Sequence, residues 1–168
     1  MSRALDVSER TRRPGLLVAS SGLRSAQRGR NSAVPAGARI VWAAPGGVEP
    51  GETLLAALRR ELHEEVGLTI GDDPARVWHQ EVVAPRHAEG YDGAVNDYFL
   101  VRTTSFDPHG ALSAGELTAE HISGFGWWRC QDITGYRGTD LFSPRDLATP
   151  LTALLANGIP GTPVLLGL

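Results

Sequence analysis

Cysteine occurs once, at Cys130, so no disulfide can form within the chain, which suits a reducing cytoplasm. Beside Trp127 and Trp128, Cys130 reads as a small packing residue rather than a nucleophile. Lysine is missing altogether: all 16 basic residues are arginine, and with 20 glycines this is a compositional bias from which no function follows. Long apolar runs are missing too, none approaching the roughly 20 residues needed to span a bilayer. The polar start carries no apolar signal core, so the expectation is a cytoplasmic protein with no membrane partner. Nor is there an excess of positive charge. A net charge of -3 offers no footprint for a nucleic acid polymer, and a small anionic substrate reached through a metal ion is easier to defend.

At 168 residues the chain is long enough for one domain with a substantial core. Residues 1–13, charged and without periodicity, are expected to form a flexible N-terminal arm, and residues 14–168 a single domain. The chain is organised around Pro45 to Leu68, a glycine turn followed by a helix crowded with carboxylates. Thr53 is a suitable N-cap, no proline or glycine interrupts Leu54 to Val66, and Gly67 can close the helix in a left-handed conformation. At about 100° per residue, Leu55, Leu58, Leu62 and Val66 form one stripe that should face a core. Glu61, Glu64 and Glu65 fall within an arc of about 100° beside it.

Like charges three and four residues apart destabilise a helix, so something must offset them. An ordinary solvated face balanced by Arg59 and Arg60 is the plainer account. A divalent cation is the other: Mg²⁺ and Mn²⁺ prefer carboxylate oxygens, and Mg²⁺ is commonly held by a few carboxylates together with substrate phosphates. Gly46, Gly47 and Gly51 let the backbone turn beside the helix, bringing a loop carbonyl or Glu52 towards such an ion. The number of fixed positions favours the functional account, because motif specificity grows with it.

Gly46, Glu52, Arg60, Glu61, Leu62, Glu64, Glu65, Gly67 and Leu68 resemble the Nudix box with every defining position filled. The box covers 23 residues, and the resemblance implies an α/β fold, a Nudix-type α/β/α sandwich with a mixed β-sheet. It further implies hydrolysis, with Mg²⁺ or Mn²⁺ as cofactor, of a nucleoside diphosphate linked to another group. By the same resemblance Glu61, Glu64 and Glu65 hold metal or activate water, Arg60 orients a glutamate, and a carbonyl at Pro45 or Gly46 completes a metal site. Related enzymes often bring a further carboxylate from a later loop, where Glu120, and with less claim Glu116, stand before GFGWW. Asp97 is a weak substitute for an acidic strand ligand. The implied partner is a small-molecule nucleotide, of the di- or triphosphate or ADP-ribose-like kind.

Elsewhere, strands are expected at Leu16 to Ala19, Ile40 to Ala43, Ala75 to Ala84, Ala94 to Arg102 and around Phe125 to Trp128. The third and fourth make a hairpin joined by a polar loop, PRHAEGYDG. Along Ala75 to Ala84 the alternation sets Val77, His79, Glu81 and Val83 against Trp78, Gln80 and Val82. Residues 20–38 show no strand where the family places one, a departure from its pattern. His79, His87, His109 and His121 lack ligand spacing and suit surface or hydrogen-bonding roles. Adjacent Trp127 and Trp128 suit core packing better than base stacking. Ser143 to Ala156 reads as a second helix, with Ser143 as cap, Pro144 in its first turn and Leu147, Leu151, Leu154 and Leu155 as its stripe. The tail PGTPVLLGL is expected as an extended strap or at a subunit contact, leaving a homodimer open.

Overall fold

The computed structural model describes residues 16–20, 39–43, 48–88, 91–104, 106–119, 122, 124–138 and 141–167. The expected arm at 1–13, the segment 21–38, Pro45, Gly46, Gly47, Glu120 and His121 lie outside them. In chain order the elements are β1 (Leu16–Ser20), β2 (Arg39–Ala43), α1 (Leu54–Val66), β3 (Ala75–Ala88), β4 (Tyr91–Arg102) and α2 (Ala114–Ala119). They continue with β5 (Gly124–Trp128), α3 (Cys130–Thr134), α4 (Ala148–Asn157) and β6 (Val164–Leu166). The strands form one mixed sheet in the order β5-β1-β2-β4-β3-β6, in which β1 with β2 and β3 with β6 are parallel pairs and the rest antiparallel.

Successive side chains of a strand point to opposite faces, and β4 uses this to serve two cores. Phe99 and Val101 pack with Leu58, Leu62 and Val66 of α1, joined by Phe125 and Trp127 of β5. Tyr98 and Leu100 point the other way and pack with Ile133 of α3 and Leu151 and Leu154 of α4. Helices therefore cover both faces, an α/β/α sandwich. Leu58 and Leu62 are 0% exposed, so each contributes about 1.5–3 kcal/mol through burial. The adjacent tryptophans divide between the cores. Trp127 donates from Nε1 to the Phe106 carbonyl at 2.9 Å, while Trp128 meets Tyr136 and Phe142 edge-on.

Strict alternation along β3 fails at its start. Arg76 pairs with Phe99 and Trp78 with Tyr98, so Val77 is an extra residue, a β-bulge. Val77 and Trp78 consequently share one core instead of facing opposite ways. Beyond the bulge the phase resumes, with His79 opposite Asp97 and Gln80 opposite Asn96. The hairpin is also longer than its composition suggests. Strand backbone continues to Ala88 and resumes at Tyr91, through most of the expected loop.

The second long helix begins at Ala148 rather than near Ser143. Pro150 explains the shift, because a residue without N–H is tolerated in a first turn but would break a helix already under way. Ser143 is engaged elsewhere, its Oγ lying 3.0 Å from the buried Tyr98 hydroxyl. Leu147, Leu151 and Leu154 are buried as expected, but Leu155 is 38% exposed. The tail becomes a parallel edge strand on β3, secured where Gln80 Nε2 donates to the Gly167 carbonyl at 2.8 Å.

Candidate functional site

The ends of α1 are held by the residues expected to hold them. Thr53 Oγ1 accepts from the Ala56 amide at 3.2 Å. Gly67 is left-handed (φ 74°), and its amide and that of Leu68 reach back to the His63 and Leu62 carbonyls at 3.1 and 3.0 Å. The loop after β4 adds a clamp that sequence reasoning missed. The His109 amide donates to the Val66 carbonyl (3.1 Å) and the Leu112 amide to the Glu64 carbonyl (3.0 Å). Between them Gly110 lies so close to α1 that a Cβ there would overlap the Glu64 carbonyl oxygen. The only signal in the sequence was a glycine after Asp-Pro-His, which indicates a turn but not what it touches.

On the acid flank, burial is graded. Glu61 is 2% and Glu65 1% exposed, against 39% for the Glu64 side chain. Charged groups are costly to bury without compensation, and Arg60 supplies part of it. Its Nε and Nη2 grip the Glu52 carboxylate side-on, both at 3.1 Å. Nη1 donates to Glu61 Oε1 at 2.8 Å and to Glu64 Oε2 at 3.3 Å. Glu52, foremost, and Glu61 push the guanidinium further above its ordinary value. Arg60, with help from the Glu49 amide, holds the Glu52 carboxyl below the usual range. Glu52 is therefore the anchor of Arg60.

Other candidates separate from this group. Asp97, its side chain 9% exposed, accepts at Oδ1 from Arg76 Nη1 at 3.1 Å and lies 2.8 Å from His79 Nδ1. His79 Nε2 lies 3.2 Å from Glu81. Asp97 foremost, then Glu81, raises the His79 pKa. Asp97 is thus engaged within the hairpin. Glu116 proves to sit in α2 rather than in a loop. Its carboxylate accepts from the Ser113 amide at 2.8 Å while Ser113 Oγ accepts from the Glu116 amide at 3.3 Å. This is a capping box, legible in Ser-Ala-Gly-Glu, and Ser113 holds the Glu116 carboxyl below its usual range. Gly46 and Glu120 lie outside the described residues.

Hard carboxylate oxygens concentrated on one helix flank suit Mg²⁺ or Mn²⁺, so the donor chemistry fits the implied cation. Among the described residues no three Asp, Glu, His or Cys side chains already converge as a ligand set. Nor, among them, is any helix long and apolar enough to cross a membrane.

The chain is thus a mixed sheet between helical layers, with an acidic helix tied to its preceding turn by an arginine. A family model of the NUDIX domain matches residues 10–147, and the chain belongs to that family. Enzymes of this family in general hydrolyse pyrophosphate-type anhydrides and in general use divalent cations. No curated protein and no solved structure matches the chain.

Proposed function

We propose that the protein hydrolyses a pyrophosphate linkage in a nucleoside diphosphate derivative or nucleoside triphosphate, releasing a nucleoside monophosphate and a phosphorylated product. The observation that carries this is the burial of Glu61 and Glu65 beside a half-exposed Glu64, three carboxylates on one flank with one guanidinium among them. Glu61, Glu64, Glu65 and the carbonyl of Gly46 would hold Mg²⁺ or Mn²⁺. A bound cation of this kind neutralises diphosphate charge and eases deprotonation of water.

The residues divide the remaining work. Glu64, the most exposed of the three, would accept the proton of a water whose oxygen bonds to phosphorus as the opposite P–O bond breaks in line. Glu120 is the rival for that proton. Before the cation binds, Arg60 holds Glu61 and Glu64 in fixed relation to each other, because one nitrogen serves both. We place the reaction in the cytoplasm, on a small nucleotide rather than a polymer.

The test is a phosphate-release panel of nucleoside diphosphate derivatives and triphosphates. Turnover should vanish on chelation and return with Mg²⁺ or Mn²⁺; turnover indifferent to chelation would remove the cation from the reading. A second reading, a nucleotide-binding or regulatory module without catalysis, is favoured by the sequence of residues 20–38, which departs from the family's pattern before the box. Nucleotide bound by the cation-supplied protein across the panel without phosphate release would select it.

A further inference from the structure

The guanidinium of Arg60 is divided in use. Its Nε and Nη2 edge belongs to Glu52, with both contacts at 3.1 Å, whereas Nη1 faces the other way and serves Glu61 and Glu64. An arginine presents five N–H donors in a rigid fork, so one edge can let go while the other stays bound. The oxygens taken by Nη1, Glu61 Oε1 and Glu64 Oε2, belong to the carboxylates a divalent cation would need. Two cations on the same oxygens repel each other, and neither guanidinium nor Mg²⁺ shares a carboxylate lone pair with the other without loss.

We propose that Arg60 is a resident counterion that competes with the divalent cation: it neutralises Glu61 and Glu64 until the cation arrives, then withdraws Nη1 while Glu52 retains the rest of the guanidinium. This rests on the proposed cation-dependent reading and concerns how the site is filled. Glu64 is released first, having the longest contact, 3.3 Å, and a side chain 39% exposed. Glu61 follows, with its 2.8 Å contact and a side chain 3% exposed. Glu52 is thus a positioning residue, which keeps the displaced arginine from drifting into solvent and ready to return. Coupling of this kind is reciprocal: if the cation weakens the arginine contact, removing the arginine must strengthen cation binding.

The experiment measures Mn²⁺ binding by electron paramagnetic resonance in the full-length protein and in Arg60→Gln and Arg59→Gln. The second variant loses the same charge from the neighbouring position, where Arg59 pairs with Asp73 instead. Arg60→Gln should bind Mn²⁺ at least about fivefold more tightly, and Arg59→Gln should change by less than about twofold. Nitrogen-15 NMR of the arginine side chains in the unaltered protein gives a direct readout: on Mg²⁺ addition the Arg60 Nη1 protons should lose protection while Nε–H keeps it. Weaker or unchanged binding in Arg60→Gln, equal tightening in both variants, or bound Mg²⁺ with Nη1 undisturbed would each overturn the inference alone. An unaltered protein that binds no Mn²⁺ would instead overturn the cation-dependent reading beneath it. Should Arg60→Gln fail to fold, the NMR measurement still decides.

Discussion

The cluster on α1 and the cluster on the β3–β4 hairpin are built from the same chemistry in different proportions. On the hairpin, Arg76 and His79 face Asp97 and Glu81, and each cation lies against a carboxylate. On α1, one described cation, Arg60, touches three carboxylates, Glu52, Glu61 and Glu64, with Glu65 buried close by in the sequence. On the hairpin, Asp97 foremost and then Glu81 favour the protonated form of His79, so basic and acidic groups are matched among the described residues. Among the described residues the α1 cluster sets more carboxylates than cations where burial makes charge costly. Under the proposed function a cation would make use of that imbalance, and the contrast then sets a structural ion-pair row against the proposed site.

Five changes would break or sharpen this contrast. The largest effect is expected from Glu65→Gln, which should lower turnover by at least about a hundredfold while circular dichroism shows the fold intact. A fully active variant would take Glu65 out of the site. Next comes Gly110→Val, which forces a side chain into the α1 backbone; urea unfolding should show a loss of about 2 kcal/mol or more. Unchanged stability would mean that the loop clamp is dispensable.

On the hairpin, Asp97→Asn should cost about 1 kcal/mol and leave turnover near its original level, the reverse of Glu65→Gln. The same substitution should return the His79 pKa towards 6.5, because Asp97 is the foremost cause of its rise. The pH dependence follows in sign. With the folded value above the unfolded one, the His79 contacts stabilise fully below about 6.5 and fade as pH rises through the raised value. The stability difference between the unaltered protein and His79→Gln should therefore shrink from mildly acidic to alkaline pH; a difference that grew would refute the charged row. The smallest effect is expected of Arg59→Ala. Its partner Asp73 has a side chain 75% exposed, and the unfolding free energy should move by less than about 0.5 kcal/mol.

Much of this was legible beforehand. The period of Leu58, Leu62 and Val66 identified the buried face of α1, and Thr53 and Gly67 marked its ends, because helix geometry and capping act within a few residues. What escaped was decided by more distant partners. A bulge at Val77 rephased β3, Tyr98 drew Ser143 away from capping a helix, and Glu116 turned out to cap α2. Pro150 and Ser113 carried local signals for two of these, overshadowed by Pro144 and by interest in Glu116 as a ligand.

From sequence alone came the acid flank, the helix that bears it and the family, since spacing along one helix fixes angles without reference to the rest of the chain. Only the tertiary structure decided the depth at which each glutamate sits, that Glu52 anchors Arg60, and that Asp97 belongs to the hairpin. Those outcomes depend on which surfaces meet across the fold. Meeting is a property of packing, and the linear order of residues does not state it.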